Sequence, residues 1–329
     1  MRFELTPETD SIEHFLASRG WLQAGESVVS AGPAGKGNMN QTLRVQTDKR
    51  SFILKQSYPY CAKFPDIPAP LERIDIEVQF YGIARRSAAL AAAMPEVIEY
   101  SAGDQLAMIE DLGAGSDLLL LYAGDRLRSG ELETLCHLAR ELHALAITSR
   151  ERDTLQNRSM RELNHEHIFD IPLRPDNGLD LDAVTPDLST LAAETRRDTS
   201  YVKEVAALGR LYLEASGPCL LHGDYYPGSL LRTKGGLAII DPEFAFPGPA
   251  EFDLGVFVAH LIFAGEEGDA IADRILAAYR EPVDRALVEG FAGAELMRRT
   301  LGVSQLPLAA TLTEKRGWLE LSRTWVKCR

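Results

Sequence analysis

Two acidic clusters, each closing an apolar run and separated by a tight turn, constrain this chain more than any other feature. Residues 220–255 read LLHGDYYPGSLLRTKGGLAIIDPEFAFPGPAEFDLG. The first cluster is His222-Gly223-Asp224, with Ser229 five residues after the aspartate. The second, Asp241-Pro242-Glu243, ends the run Leu237-Ala238-Ile239-Ile240. Arg232 to Gly236 is a polar stretch with two glycines, so the segment reads as loop, short strand, turn, strand, loop. A hairpin returns on itself, which predicts that Asp224 and the Asp241/Glu243 pair share one cleft. Three carboxylates there would repel one another without a cation between them. Hard oxygen ligands suit Mg²⁺, above all when substrate phosphates complete its shell.

The spacing matches a phosphoryl-transfer template. Kinases place a base and a metal ligand in H-R-D-x-x-x-x-N and a second metal ligand in D-F-G. Here Asp224 takes the place of the base, and Ser229, at the asparagine's spacing, that of the first metal ligand. Asp241-Pro242-Glu243 takes the place of D-F-G. Only nine residues separate Glu243 from Asp253. That leaves little room for the peptide platform of a protein kinase and points to a small acceptor.

The chain's 329 residues are enough for two lobes with cores of their own. A net charge of −13 argues against broad contact with nucleic acid or an anionic membrane. No apolar run approaches the ~20 residues of a membrane span. The opening MRFELTPETD lacks the basic and apolar regions of a signal peptide. Cys61, Cys136, Cys219 and Cys328 are scattered, with neither a metal spacing nor a disulfide framework. A reducing cytoplasm is the expected setting.

From the start, Thr6 to Leu22 has helical spacing of Ile12, Phe15 and Leu16. Ser27–Ser30, a small-residue loop through Gly37 and Asn38, and Thr42–Val45 predict strand, phosphate loop, strand. The loop is not a Walker A motif, which needs G-K-[ST] entering a helix. Ser51–Gln56 is a strand ending near Lys55, as in the V-A-I-K strand of kinases. Pro70 to Leu90 reads as one helix carrying three candidate partners for that lysine, Glu72, Asp75 and Glu77. Pro95–Tyr100 and Gln105–Ile109 read as strands. The break after them, at Glu110 to Leu112, predicts an adenine site on backbone groups and a lobe boundary. The expected division is 1–111, binding nucleotide, and 112–329, binding acceptor and carrying the chemistry.

The remainder is mostly helical: Gly130–Ile147, Leu188–Ser216 with Gly209 as a local break, Phe252–Phe263, Ala270–Tyr279, Asp284–Leu301 and Leu312–Val326. The fold class is therefore α+β. His165 and His167 do not share a helix face and lack the H-E-x-x-H spacing, so they read as loop or helix end. Asp253 is expected to cap its helix and to support the loop at Asp224.

Several segments together resemble the aminoglycoside phosphotransferase superfamily and, within it, the 5-methylthioribose kinases. They are Gly37-Asn38-Met39-Asn40, Leu54-Lys55-Gln56, Glu72-Arg73-Ile74-Asp75-Ile76-Glu77 and Met108-Ile109-Glu110-Asp111-Leu112. His222-Gly223-Asp224, Gly228-Ser229, Asp241-Pro242-Glu243-Phe244-Ala245-Phe246 and Glu295-Leu296-Met297-Arg298-Arg299 match as well. The resemblance implies a two-lobed kinase-like fold and ATP-dependent phosphorylation of the 1-hydroxyl of a 5-substituted ribose. It selects Glu77 as the partner of Lys55. Asp224 would orient the hydroxyl and take its proton. Asp241 and Glu243 would hold Mg²⁺, and Lys55 would hold phosphate. Arg298 and Arg299 would line the sugar site. Tyr225-Tyr226-Pro227 replaces the family's Leu-His-Thr beside the base, which leaves the acceptor open to other 5-modified pentoses. An aminoglycoside acceptor and a non-catalytic nucleotide-binding protein are the competing readings. The expected partners are a small sugar acceptor and, as an option, a second copy of the chain in a homodimer.

Overall fold

The structure is a computed structural model that describes residues 2–35, 37, 39–214, 217–306 and 308–328. It divides into two compact units, one of residues 1–115 and 233–244, the other of 116–232 and 245–329.

The first unit is built on a five-stranded antiparallel sheet. Its strands are β1 (Val28–Pro33), β2 (Gln41–Thr47), β3 (Ser51–Gln56), β6 (Val97–Ser101) and β7 (Leu106–Glu110), in the order β1-β2-β3-β7-β6. A small hairpin, β4 (Tyr60–Cys61) and β5 (Phe64–Pro68), lies between β3 and the next helix and has no forewarning in the sequence pattern. Period-2 alternation sorts the side chains. Leu43, Val45, Phe52, Leu54, Leu106 and Met108 form one face, covered by Ile12, Phe15 and Leu16 of α1 (Thr9–Ser18). Each such apolar side chain removed from water contributes roughly 1.5–3 kcal/mol before chain entropy is counted. The same alternation turns Ile53 and Lys55 to the other face, where Ile74 of α2 (Arg73–Ala84) packs with Ala107 and Ile109. Sheet register thus aims the one lysine of β3 at a helix.

The single helix expected over 70–90 is two. α2 ends at Ala84 and α3 (Ala88–Ala93) begins after Ser87, whose backbone is extended. Residues 233–244 lie outside the expected N-terminal boundary yet belong to this unit. Their strand Gly236–Ile239 packs on α3 and their turn Pro242–Phe244 packs on α2.

The second unit is mainly helical. Its centre is the helix Ala250–Phe263, buried along nearly its whole length and crossed by Arg285–Leu301. Gly255 allows the crossing, since a Cβ there would lie 2.7 Å from both Phe291 Cβ and Val288 O. Tyr212, Phe246, Phe252, Phe291 and Met297 fill the core beside it. Short strands Cys219–Leu221 and Phe246–Gly248 pair antiparallel, and Leu231 and Arg232 pair with Asp117 and Ser116. The helical stretch 188–216 splits at Asp198 into Leu188–Arg197 and Thr199–Glu214, rather than bending at Gly209. Asp198 starts the second helix by accepting from the Tyr201 N–H. Gly209 stays helical, and its small size admits His165, whose Nε2 would lie 2.7 Å from a Cβ. His165 ends the helix Arg158–His165, and one π turn, Glu166–Asp170, follows. Among the described residues no helix is long and apolar enough to cross a membrane.

Candidate active site

Each unit gathers one charged cluster. In the first, Lys55 is 3% exposed, and its ammonium lies 2.6 Å from Glu77 Oε2 and 2.6 Å from Asp241 Oδ1. Burial by itself would lower the lysine's pKa, but Asp241, Glu77 and Glu243 raise it and keep it charged. Burial raises the Glu77 carboxyl against the pull of Lys55. Of the two rival partners, Asp75 is engaged elsewhere, accepting from the Tyr100 hydroxyl, and Glu72 precedes α2. The i, i+4 geometry leaves Tyr81 directly after Glu77 on the helix face, and its hydroxyl accepts from the Asp241 N–H at 3.2 Å.

Asp241 has φ 62°, a left-handed backbone that aspartate tolerates better than most residues, and its side chain is 42% exposed. Glu243, in the 3₁₀ turn Pro242–Phe244, is nearly sealed. It accepts from Asn40 Nδ2 at 2.8 Å and lies 3.4 Å from Arg73 Nε. Burial pushes its pKa up to about 7, while Lys55 and Arg73 pull the other way. Arg73 is fully buried and donates to Asn40 Oδ1 and to the carbonyls of Met39, Tyr58 and Pro70. It therefore ties the end of the small-residue loop to Glu243. Among the described residues no three His, Cys, Asp or Glu side chains are grouped to hold a metal. Two carboxylates two residues apart are what this segment offers. Such a donor set fits Mg²⁺ that takes its other ligands from phosphate and water.

Gly37 is exposed in the loop between β1 and β2, and Asn38 lies outside the described residues. Glu110 ends β7, where its N–H donates to Glu96 O at 2.8 Å and its carboxylate accepts from Glu96 N–H at 3.1 Å. Leu112 follows, half-buried.

The second unit holds Asp224. The backbone N–H groups of His222 and Gly223 donate to Asp253 at 2.7 and 2.9 Å, and Gly223 has φ 81°. Asp253 also lies 3.2 Å from His143 Nε2. Its expected support of the loop is what the geometry contains. The helix cap is not, because the helix begins at Ala250 and Pro249 takes the cap position. Asp224 keeps 23% of its side chain exposed, and Arg298 and Arg299 each reach to 3.8 Å of its Oδ1. Withdrawal from water raises the Asp224 pKa, with the two arginines opposing. Ser229 is buried in the turn Pro227–Ser229. Asp224, Arg298 and Arg299 are thus brought together in one unit, and Lys55, Glu77, Asp241 and Glu243 in the other. Ser229 belongs to the unit of Asp224, not to that of the other two candidate metal ligands.

Sequence reasoning assigned nothing to four polar residues tied to these clusters: Arg73 bonds Asn40, Glu295 bonds both arginines, His260 bonds Glu295, and Tyr122 bonds His260. Arg73 and Glu295 sit inside matched segments but carried no role. His260 and Tyr122 belong to no motif. The signal available was a charged residue inside a matched segment, for Arg73 and Glu295; the sequence held none for His260 and Tyr122.

Residues 30–291 match the model of the phosphotransferase enzyme family, and the chain belongs to that family. A methylthioribose kinase of Exiguobacterium sibiricum is 28% identical over 91% of this chain and 86% of its own. A methylthioribose kinase of Bacillus cereus is 26% identical over 89% and 83%. Among solved structures, a spectinomycin phosphotransferase in complex with ADP and spectinomycin superposes with a TM-score of 0.60 at 13% identity over 98% of both chains, a likeness of fold. The fold is the kinase-like α+β fold expected from the motifs. The protein is an ATP-dependent phosphotransferase that acts on a hydroxyl group of a small molecule.

Proposed function

We propose that the protein phosphorylates the 1-hydroxyl of a 5-substituted ribose, with 5-methylthioribose as the first candidate, using Mg²⁺-ATP. The observation that carries this reading is Asp224 with two guanidinium groups at 3.8 Å, in a chain whose relatives are methylthioribose kinases. Two fixed cations beside the base favour a neutral sugar over a polycationic aminoglycoside, which like charge would repel.

In this reading Asp224 accepts the proton as the sugar O–H bond breaks. The sugar oxygen forms its bond to phosphorus while the bond to the ADP oxygen breaks. A raised pKa suits a base, provided it remains ionised at working pH. Arg298 and Arg299 offset charge on the phosphoryl oxygens in flight. Lys55, kept charged by Glu77, holds phosphate. Gly37 and Asn38 would lie over the phosphates, and Glu110 and Leu112 beside the adenine. Asp241 and Glu243, with Ser229 as a third candidate, would hold Mg²⁺, which supplies charge neutralisation on the phosphates.

The test is turnover of Mg²⁺-ATP with methylthioribose, 5-deoxyribose, ribose and an aminoglycoside, with phosphorus NMR to locate the ester. A sugar 1-phosphate is the expected product. Transfer to the aminoglycoside alone would overturn the reading, and ATP binding without transfer would favour a binding protein. Asp224→Ala is expected to lower kcat about 10²–10⁴-fold with ATP affinity kept. Unchanged turnover would remove the base assignment.

A further inference from the structure

The two arginines beside Asp224 do not hold themselves there. Arg298 Nε donates to Glu295 Oε2 at 2.5 Å, and Arg299 Nε donates to Glu295 Oε1 at 2.8 Å. One carboxylate one helical turn back, 1% exposed, therefore anchors both guanidiniums by their Nε groups. The Nη2 atoms of both remain turned to Asp224. Arg299 is fixed further by the Tyr226 ring, 5.3 Å below its guanidinium, and by the Ser304 carbonyl.

Glu295 is itself oriented. Its Oε1 lies 2.9 Å from His260 Nε2, and His260 Nδ1 lies 2.5 Å from the Tyr122 hydroxyl. Burial holds His260 neutral, with its pKa lowered to about 4. A neutral imidazole carries one N–H. Glu295, held ionised by the arginines, can only accept, so that N–H is on Nε2. Nδ1 then accepts from the tyrosine hydroxyl. The donors run in one direction, Tyr122 to His260 to Glu295, and the carboxylate is left to take both arginines. No member of this chain other than the arginines has a role in the reaction proposed above.

We propose that Glu295 is a positioning residue of the transfer reaction, holding Arg298 and Arg299 on Asp224, and that His260 with Tyr122 aims the Glu295 carboxylate. The proposal rests on the reading of Asp224 and the arginines as acceptor-side groups. A 1 Å misplacement of groups that meet the reacting atoms can cost about 10²-fold in rate. Nucleotide handling involves residues of the other cluster and stays out of the effect.

The experiment compares Glu295→Gln, His260→Gln and His260→Leu. A glutamine amide can reach the place of His260 Nε2 and restore the donor; leucine cannot. With the best acceptor, Glu295→Gln and His260→Leu are expected to lower kcat/KM for the acceptor about 10- to 100-fold, as outer-shell partners do. His260→Gln should stay within about threefold of wild type, and the KM for ATP should not move in any variant. Wild-type kcat/KM in Glu295→Gln, or equal loss in His260→Gln and His260→Leu, would overturn the positioning role. A second measurement needs no acceptor. NMR of the Arg298 and Arg299 Nε–H groups, assigned with Arg→Lys variants, should find slow exchange with water in wild type and fast exchange in Glu295→Gln and His260→Leu. Fast exchange in wild type would overturn the proposal even if no sugar is turned over. Slow exchange without turnover would leave the held arginines in place and refute only the acceptor reading.

Discussion

Arg73 is the residue whose loss should cost the first unit most. Its guanidinium is fully buried, with four short hydrogen bonds to Asn40, Met39, Tyr58 and Pro70 and the Glu243 carboxylate 3.4 Å away. Arg73→Met removes every donor and leaves those acceptors and one carboxylate without it. A buried acceptor stripped of its donor costs ~1–3 kcal/mol, and breaking a buried ion pair costs ~3–5 kcal/mol. Some acceptors will recover water, so we expect about 4 kcal/mol in all. Arg73→Lys keeps the charge but has three donors on a single nitrogen, which cannot span four acceptors, and about 2 kcal/mol is expected. The assay is urea denaturation followed by Trp21 fluorescence in a Trp318→Phe/Trp325→Phe background, so that only the first unit reports. With a slope of about 1.5 kcal/mol per molar urea, the midpoint should fall by about 2.5 M for methionine and about half that for lysine. A methionine shift below about 0.5 M, or equal shifts for the two variants, would refute the reasoning. Because Arg73 joins the loop end to Glu243, the KM for ATP should also rise while that for the acceptor does not.

Further outcomes follow from the same geometry. Glu243 is held near pKa 7 by burial, above its ordinary 4.5, so its contribution to stability is full below pH 4.5 and lost as pH rises to about 7. In EDTA, the effect of Glu243→Gln on the unfolding free energy should be more favourable at pH 8 than at pH 5, by up to about 3 kcal/mol; an equal effect at both would contradict this. Gly255→Ala puts a Cβ 2.7 Å from Val288 O and 2.9 Å from Ala292 N, both backbone, and overpacking of this kind costs ~1–3 kcal/mol. An unchanged melting temperature would show that the helices separate freely. Glu77→Gln should destabilise by about 2 kcal/mol, whereas Asp241→Asn should stay within about 1 kcal/mol and instead raise the Mg²⁺ needed for half-maximal rate about tenfold. Equal destabilisation would show that the two carboxylates are alike.

The sequence made legible whatever repeats locally. Alternation in Leu43, Val45, Phe52 and Leu54 specified the sheet, and it also fixed which face Lys55 takes. The helical region 188–216 was legible as helix, but its break was not. Glycine is the intrinsic helix weak point, yet Gly209 stays helical and makes room for His165, and the boundary falls at Asp198, whose side chain accepts from the Tyr201 N–H. Glu77 could be chosen over Glu72 and Asp75 only by resemblance, because all three lie on the same helix. Tyr100, which occupies Asp75, comes 25 residues later. Tyr122, His260 and Glu295 are separated by 138 and 35 residues. No period or motif connects such positions, so a buried relay of this kind emerges only from tertiary structure.

The two clusters solve one problem the same way. A buried cation cannot be left bare in a low-dielectric interior, and on the proposed reading it cannot be fully neutralised by a group that also serves the reaction. Lys55 divides itself between Glu77, 1% exposed, and Asp241, 42% exposed. Arg298 and Arg299 divide themselves between Glu295, 1% exposed, and Asp224, 23% exposed. In each case the sealed carboxylate satisfies the cation permanently, and the reachable one stays open to solvent and ligand. Removing a reachable carboxylate leaves its cation paired, so the fold should survive, and on the proposed reading the chemistry should fail. Removing a sealed one strands a buried charge, so position is lost along with stability. On the proposed reading, function falls on the exposed member of each pair, and the sealed Glu77 and Glu295 keep the cations paired while Asp241 and Asp224 stay exposed.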